Sequence, residues 1–290
     1  MTSTIIVLGA TGNQGGAVCR HLSRRGGFRI IAITRDTDAP KARKVGALPH
    51  IELVRCDADK ADRLEAVFAA HSPLHGVFSV QTNDYTQEGC AQEIAQGKRI
   101  VDLCEQYAVT HLVYSSVAQL QPAELTDVAT KIEIEARLRA GKTPFTVLRP
   151  TFFVENFFAG GFAEASGTAV GYPGFESANP VEQQYIYVDD LGMIAACIFA
   201  DPDAWAGRTL ELAGDSLTPA QLVTTFAEHN GRPMSALEAA VDAFGMDLVP
   251  LFAGMRDGLW ETIDIEGLRK EFPSLHTVQD ALDHSGYRPP

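Results

Sequence analysis

A glycine-rich turn directly after the first predicted strand constrains this chain more than any other segment. The strand residues Thr4–Leu8 run into Gly9-Ala10-Thr11-Gly12-Asn13-Gln14-Gly15-Gly16, and a helical pattern follows. Gly9 allows a sharp exit from the strand, Gly12 a close approach of the backbone to a pyrophosphate, and Gly15 tight packing of the helix on the sheet. The segment therefore predicts a dinucleotide site at a helix N-terminus, although a glycine turn without a ligand has the same composition.

The composition fits a globular protein with one large domain and a smaller lobe. Of the 290 residues, 46% are hydrophobic and 21% are charged, which provides enough apolar surface for a full core.

The formal net charge of −13 argues against direct contact with nucleic acid, whose phosphates require a basic surface. The five scattered cysteines, the lack of a secretory signal and the lack of a membrane-length apolar run lead us to expect a cytoplasmic protein without disulfides. No histidine or cysteine spacing suggests a metal site.

Apolar strands alternate with helical stretches through the first half of the chain. After the first strand, further strands are predicted at residues 29–34, 51–57, 76–80, 111–116 and 145–149, with helices between them. Strands this apolar, joined by helices, require a parallel sheet covered on both faces. The predicted fold class is therefore α/β, with a doubly wound parallel sheet of the Rossmann type and a smaller C-terminal α/β lobe.

The composition changes after residue 150. Residues 151–187 are rich in Phe, Tyr and Gly, whereas residues 185–200 look like a strand followed by a helix that rejoins the first domain. We therefore predict a dinucleotide-binding domain over residues 1–150, rejoined by the segment about 185–213. The smaller lobe, for a substrate or a partner, is expected to comprise residues 151–184 and 214–290.

The residues after the second strand bear on which dinucleotide binds. An NAD-specific site usually offers a carboxylate there, whereas this chain reads Thr34-Arg35-Asp36, with Lys41, Arg43 and Lys44 close behind. A guanidinium forks well onto phosphate oxygens, so Arg35 is suited to the 2′-phosphate of NADP(H). A solvated basic loop is the alternative, and Asp36 keeps NAD(H) open.

Polar residues also follow the third and fourth strands. Asp57, Ala58 and Asp59 come where related folds bind the adenine edge, although Asp59 would equally serve as a helix N-cap. The segment Gln81-Thr82-Asn83 comes at the carboxyl edge of the sheet, where open α/β sheets bind ligands. A capped turn is the alternative for that segment.

These features together resemble the NmrA-like family, an atypical branch of the short-chain dehydrogenase superfamily, over nearly the whole chain. The branch described as NADP(H) redox sensors is the most similar, and triphenylmethane and quinone reductases are more distant. Besides the glycine loop and Thr34-Arg35, the resemblance rests on Gln96-Gly97-Lys98, Val113-Tyr114-Ser115-Ser116, Lys131, the segment 148–156 beginning Leu148-Arg149-Pro150, and Val188-Asp189-Asp190-Leu191-Gly192.

The resemblance implies a role for each matching residue. The pyrophosphate would be held by the glycine loop, the 2′-phosphate by Arg35, and the adenine by Asp57 and Ala58. The implied pyrophosphate residues are Gly9, Thr11, Gly12, Asn13, Gln14 and Gly15. The implied nicotinamide-side residues are Thr82, Asn83, Ser115, Lys131, Pro150 and Phe153.

The proton-donating tyrosine of the wider superfamily is missing. Reductases of that superfamily use Tyr-x-x-x-Lys after a serine. This chain has Ser116 and Lys131, but Asp127 stands four residues before the lysine. Tyr114 is no simple substitute, because it should alternate with Ser115 onto another face of the sheet. Three interpretations of Lys131 stay open: it binds the nicotinamide ribose, it pairs on the surface with Glu135 at i+4, or it acts as a general acid.

Aromatic residues cluster after residue 151. They would form either an apolar pocket for a flat ring substrate or a core or subunit interface, and Phe153 and Tyr172 are the predicted pocket walls. The set comprises Phe152, Phe153, Phe157, Phe158, Phe162, Tyr172, Phe175 and Tyr185.

The sequence leads to two hypotheses of function. The first is an NADP(H)-binding regulator or redox sensor that acts through a protein partner, and the second is an NADPH-dependent reductase of quinones, dyes or other small aromatic acceptors. The sequence names neither the substrate nor the oligomeric state.

Overall fold

The structure is a computed structural model that describes most of the chain. It covers residues 2–82, 86–118, 126–158, 169–170, 178–236, 257–258 and 261–287, with residues 126–128, 169–170 and 236 described by their backbone alone. The described helices include none with the length and apolar content needed to cross a bilayer.

The chain divides into two compact units. The first comprises Met1–Val117, Ala129–Arg149 and Leu191–Leu210, and the second comprises Ala118–Val128, Pro150–Asp190 and Glu211–Pro290. Compared with the domain bounds expected from the sequence, residues 118–128 join the second unit, and the returning segment begins at Leu191 instead of near residue 185.

A seven-stranded parallel sheet forms the frame of the first unit. Its spatial order is β10-β6-β5-β4-β1-β2-β3, so the chain reverses its direction of progress across the sheet between β1 and β4. Ile6 of β1 pairs with Ile31 of β2 on one side and with Val77 of β4 on the other. The strands are β1 (Ser3–Val7), β2 (Phe28–Thr34), β3 (Ile51–Arg55), β4 (Gly76–Ser79), β5 (His111–Ser115), β6 (Phe145–Pro150) and β10 (Thr209–Leu212).

Helices cover this sheet, and the predicted doubly wound α/β fold is confirmed. On one face, Val77, Leu112 and Tyr114 pack with helical residues such as Ile100 and Ile134 in a continuous core. The six predicted strands are all present, whereas β10 at the sheet edge was not predicted as a strand. The helices are α1 (Asn13–Arg25), α2 (Pro40–Gly46), α3 (Ala61–His71), α4 (Gln87–Gln106), α5 (Thr126–Ala140), α6 (Val188–Ala200) and α7 (Pro202–Trp205).

The second unit has small sheets and a core of its own. One sheet has the order β11-β9-β7 and the other pairs β12 with β8. Thr218 and Gln221 form a reciprocal capping box at the start of α8, which fixes where that helix begins. Its elements are β7 (Phe152–Phe153), a 3-10 helix (Val154–Phe157), β8 (Ala169–Val170), β9 (Gln183–Ile186), β11 (Asp215–Leu217), α8 (Pro219–Asn230), β12 (Ser235–Ala236), α9 (Ile265–Glu271) and α10 (Val278–Ser285).

Candidate functional site

The glycine loop forms a tight turn between β1 and α1. Gly9 has a φ of 61°, in the left-handed region that favours glycine, and its carbonyl accepts a hydrogen bond of 2.9 Å from the Gly12 N–H. A Cβ atom at Gly15 would lie 2.4 Å from the Gly9 oxygen, so only glycine lets α1 approach the turn this closely. The sequence therefore folds here into a tight turn that requires glycine at positions 9 and 15.

The N-terminus of α1 is open to an anion. Gly12 is its N-cap and provides no side-chain acceptor, and the first turn carries no acidic residue. The first N–H groups of a helix have no partner within the helix, and its dipole makes this end positive. Gly12 and Asn13 are exposed, and Thr11 and Gln14 are partly exposed, so this end of the helix is accessible from solvent.

One hydrogen bond joins the glycine loop to the end of β5. Ser115 Oγ donates to Gln14 Oε1 over 2.6 Å. The resemblance assigns Gln14 to the pyrophosphate and Ser115 to the nicotinamide side, and the structure brings the two side chains together across the switch point of the sheet. The bond fixes the Gln14 side chain relative to the strand ends.

Arg35 lies at the end of β2, next to two acidic residues that are paired elsewhere. Arg55 on the neighbouring strand forms ion pairs with Asp36 at 3.1 Å and with Asp38 at 3.0 Å. Arg35 is exposed, and within the described segments no carboxylate pairs with its guanidinium. The acidic residue that kept NAD(H) open is thus engaged, while the basic residue is available. Lys41 and Lys44 of α2 are also exposed.

The loop after β3 is held by α4. Gln96 Nε2 donates to Asp59 Oδ1 over 2.7 Å, and the Asp59 N–H donates to Asp57 Oδ1 over 3.2 Å. Asp57 and Ala58, the predicted adenine contacts, are partly exposed. The alternative N-cap role of Asp59 is wrong, because the N-cap of α3 is Lys60 and it has no side-chain cap. The Asp59 carboxylate instead accepts the hydrogen bond from Gln96 of α4.

At the end of β4 the polar segment lies partly inside the protein. Gln81 is buried and its Nε2 donates to Ser79 Oγ over 2.8 Å, whereas Thr82 is exposed. Asn83 lies outside the described residues. The cap of the following helix α4 is Thr86, whose hydroxyl accepts from the Gly89 N–H at 3.0 Å.

Ser116, the serine of the superfamily's catalytic set, belongs to a buried ionic network. Its Oγ donates to Glu135 Oε1 over 2.6 Å, and Arg149 donates to both oxygens of the same carboxylate at 2.9 and 2.7 Å. Arg139 adds a bond of 3.0 Å. Burial alone would raise the pKa of Glu135, but the hydrogen bonds from Arg149 and Ser116 outweigh it, so this pKa lies below its ordinary value.

Lys131 is paired on another helix. Its Nζ lies 2.5 Å from Glu93 Oε1 of α4, and the two side chains are only 16% and 1% exposed. The interpretation that Lys131 pairs with Glu135 on the surface is wrong, because Glu135 is taken by the arginines and Lys131 turns inward. Asp127 lies on α5, but its side chain is outside the described part of the chain.

Tyr114 faces away from Ser115, as strand alternation predicted. The phenol is 1% exposed in the core between the sheet and its covering helices, and no hydrogen-bond partner for its hydroxyl is found in the described segments. Burial and the charges of Glu93 and Glu135 hold its pKa well above the ordinary range. A buried phenol of this kind does not replace the missing catalytic tyrosine.

Most of the described aromatic set in the second unit belongs to its core. Phe157 packs edge-on against Tyr185 and Phe226, with ring centroids 5.8 and 5.9 Å apart. Phe153 is half-buried on β7, opposite Ile186 of β9. Pro150 ends β6 and its carbonyl accepts from the Ala118 N–H at 2.9 Å. Phe162, Tyr172 and Phe175 lie outside the described residues, and Tyr172 stays a prediction.

Two buried acids were missed by the sequence analysis. Glu93 lies on the same helical face as the buried residues Gly97, Ile100 and Cys104. A charged residue on an otherwise apolar helix face could have predicted a buried ion pair. Glu155 accepts from the Val188 N–H at 3.0 Å, and burial, with Asp189 and Asp190 nearby, raises its pKa to about 7. No local pattern announces this second acid, because its partner is 33 residues away.

Comparison with known proteins gives the family. The NmrA-like family matches residues 1–285. The NmrA-like family domain-containing oxidoreductase lnaB of Aspergillus flavus is 31% identical over 256 residues, which cover 78% of this chain and 73% of that protein.

Solved structures share the fold. Triphenylmethane reductase of Citrobacter, complexed with NADP(H), superposes with a TM-score of 0.77 at 18% identity and covers 98% of this chain and 99% of its own. NmrA, a negative transcriptional regulator, in complex with NAD, has a TM-score of 0.77 at 17% identity, with coverages of 97% and 95%. From the match over nearly its whole length and the 31% identity, this chain belongs to the NmrA-like family.

Proposed function

We propose that this protein is an NADP(H)-dependent oxidoreductase that reduces flat aromatic acceptors such as quinones or dyes. The observation that carries the proposal is the pairing at the end of β2. Arg55 engages Asp36 and leaves Arg35 unpaired within the described segments, beside an open helix N-terminus.

The choice between the two nicotinamide dinucleotides depends on residues and not on the scaffold. NmrA is described in complex with NAD and the Citrobacter reductase with NADP(H), so proteins of this fold accept either. A free ribose hydroxyl favours a carboxylate acceptor, whereas a 2′-phosphate favours a guanidinium. The Asp36 carboxylate binds Arg55 and Arg35 is unpaired within the described segments, and this pairing supports NADP(H).

The class of acceptor follows from how the polar groups are used. When bound, NADPH supplies a hydride. Ser116 and Lys131, the two members of the usual set that this chain retains, are held by Glu135 and Glu93, and Asp127 occupies the place of the tyrosine. A ketone needs a proton delivered to its oxygen as the hydride arrives. A cationic dye takes the hydride at carbon without a proton, and a reduced quinone takes its proton from solvent.

Calorimetry and an acceptor panel test this proposal. We expect NADPH to bind at least about tenfold more tightly than NADH, since a charged hydrogen bond contributes about 1.5–3 kcal/mol. We also expect NADPH oxidation, followed by its absorbance, with quinones or triphenylmethane dyes, and little with simple ketones and aldehydes. Equal affinity for both cofactors would remove the NADP(H) assignment, and ketone turnover on the order of 10 s⁻¹ would show that another acid serves.

A second candidate is an NADP(H)-sensing regulator that acts through a protein partner. The hydrogen bond of Ser116 to Glu135 and the ion pair of Lys131 with Glu93 favour it, because neither side chain is left free to act as a general acid toward a substrate. A sensor must bind its partner differently with and without cofactor. NADPH binding without turnover of any acceptor, together with altered amide hydrogen exchange in residues 35–46 on binding, would support this candidate over the reductase.

A further inference from the structure

Helix α4 carries a carboxylate on the face that packs into the protein. The Glu93 side chain is 1% exposed and shares this face with Gly97, Ile100 and Cys104. A buried carboxylate is costly unless it is paired. Its position on the apolar stripe therefore requires a fixed cation nearby.

The cation that meets Glu93 is Lys131 of α5. The two helices lie close because Gly97, one turn after Glu93, has no side chain, and a Cβ atom there would lie 2.5 Å from Ile134 Cδ1. The ion pair of 2.5 Å is thus placed by helix packing and not by a chance surface encounter. This use of Gly97 also gives a structural reason for the glycine in Gln96-Gly97-Lys98.

Hydrogen bonds place the Glu93–Lys131 pair near the end of β5. Lys131 lies one helical turn before Glu135, whose carboxylate accepts from Ser116 Oγ, just after β5, over 2.6 Å. The preceding residue, Ser115, binds Gln14 of the glycine loop. In the sheet order, β5 lies on the opposite side of β1 from β2 and Arg35.

A dinucleotide held by Arg35 and the glycine loop extends toward this strand end. The sheet order places β2 on one side of β1, and β4 and β5 on the other. With the 2′-phosphate on the β2 side and the pyrophosphate at the start of α1, the nicotinamide half extends in the opposite direction, over β4 and β5. Neighbouring strands are about 4.8 Å apart, so an extended dinucleotide crosses several of them.

We propose that Glu93 is a positioning residue, which fixes the Lys131 ammonium at the nicotinamide end of the cofactor site. The inference rests on the proposed function, since Lys131 has a ligand there only if the chain binds NADP(H). An ammonium has three N–H donors, so the ion pair with Glu93 still leaves N–H groups for ribose hydroxyls. Held this way, the flexible lysine stem loses no further freedom when the cofactor binds.

A second ion pair on the same two helices provides a matched control. Lys98 of α4 pairs with Glu133 of α5, but these side chains are 38% and 50% exposed. Glu133→Gln removes the same charge from the same helix pair without touching Lys131. Exposed pairs of this kind contribute little to stability.

The experiment compares two ligands across five variants. The ligands are NADPH and 2′,5′-ADP, which has the adenosine and 2′-phosphate groups but no nicotinamide half. The variants are Glu93→Gln, Lys131→Met, the double variant and Glu133→Gln, and Glu93→Asp is added as the conservative rescue. The double variant removes both buried charges, so it is expected to fold even if Glu93→Gln alone is unstable.

We expect Glu93→Gln to weaken NADPH binding by about 10-fold and to change 2′,5′-ADP binding by less than about twofold. Lys131→Met should give the same loss, and the double variant no more than either, because both act through one contact. Glu93→Asp should recover part of the affinity, and Glu133→Gln should match the wild type.

The possible results separate the inference from the function on which it rests. If wild-type protein binds neither NADPH nor 2′,5′-ADP, the proposed function fails and the inference fails with it. If 2′,5′-ADP binds but Glu93→Gln leaves NADPH affinity unchanged, only the role of Glu93 is overturned. Equal losses for both ligands would show that Glu93 acts only on folding, and additive losses in the double variant would show that it does not act through Lys131.

Discussion

The two halves of the carboxyl edge of the large sheet use their polar groups in opposite ways. At β1 and β2, the donors are left open: the N-terminus of α1 has no side-chain cap, and Arg35 is unpaired within the described segments. At β5 and α5, the polar groups are paired inside the protein, Ser116 with Glu135 and Lys131 with Glu93.

This difference indicates where the fold prepares for a ligand. Unpaired N–H groups and a free guanidinium bind an anion without first breaking internal bonds. Buried ion pairs instead hold their own partners, and removing one partner strands a charge. We therefore assign the binding of the cofactor phosphates to the open half, and stability and side-chain placement to the paired half.

The largest expected effect is a loss of stability from a substitution at the centre of the paired half. Glu135→Gln removes the charge that accepts from Ser116, Arg139 and Arg149, and we expect the free energy of unfolding to fall by about 3–5 kcal/mol. Urea unfolding measures this, with the exposed-pair variant Glu133→Gln as the control at less than about 1 kcal/mol. Affinity for 2′,5′-ADP should stay the same in the folded variant, and a large loss would show that the halves are not separate.

The next prediction concerns how the buried acid Glu155 makes stability depend on pH. Glu155 has its pKa raised from 4.5 to about 7 by burial and by Asp189 and Asp190. The folded state therefore keeps this proton at pH values where the unfolded state has lost it. Its contribution to stability is full below pH 4.5 and is lost as the pH rises to about 7.

Glu155→Gln tests this pH dependence. The variant keeps the shape but has no proton to lose, so it should be more stable than wild type at pH 8 by about 2 kcal/mol, with little advantage at pH 4.5. Urea unfolding at several pH values measures the difference. Stability curves that run parallel across this range would contradict the raised pKa.

The next prediction tests the open half at Gly15, where α1 lies closest to the glycine turn. Gly15→Ala places a Cβ 2.4 Å from the Gly9 oxygen, so the turn must shift and the NADPH affinity should fall by about 30-fold, in line with overpacking costs of about 1–3 kcal/mol. Gly16→Ala is the matched control, because its Cβ would meet the Ala10 oxygen at 3.4 Å and Arg20 Nη1 at 3.7 Å, both ordinary contacts. Similar affinities for the two variants would mean that the turn tolerates the shift.

Local patterns in the sequence predicted the frame of the fold well. Short apolar runs and the helical stretches between them correctly placed six of the seven strands of the large sheet. The seventh strand, β10, was not predicted, because its four residues join the sheet edge beside β6, which is distant along the chain. Such an edge position is set by tertiary contacts and leaves only a weak local pattern.

The candidate site was less predictable than the fold. The turn geometry at Gly9 follows from the glycine spacing, but the partners of charged residues do not follow from spacing. The i+4 rule predicted a pair between Lys131 and Glu135, whereas Arg149 on the adjacent strand competes more effectively for Glu135. Long-range pairings of this kind are decided by packing, which brings together residues far apart in sequence.

The smallest expected effect is a change in NADPH affinity, and it tests whether the ion pairs of Arg55 favour NADP(H) over NAD(H). Arg55→Ala releases Asp36 and Asp38, and the freed carboxylates should repel the 2′-phosphate and accept from ribose hydroxyls. Because these pairs are exposed, we expect NADPH affinity to fall by about threefold, with NADH affinity unchanged or slightly higher. Calorimetry with both cofactors measures it, and a rise in NADPH affinity would mean that Arg55 does not restrain Asp36.

The central claim is that Arg35 recognises the 2′-phosphate of NADP(H), and calorimetry on Arg35→Ala with NADPH and NADH tests it most directly. The account predicts that NADPH affinity falls by about 10- to 100-fold while NADH affinity hardly changes, so that the preference between the cofactors collapses. Equal losses for both cofactors, or a preference that survives the substitution, would contradict it.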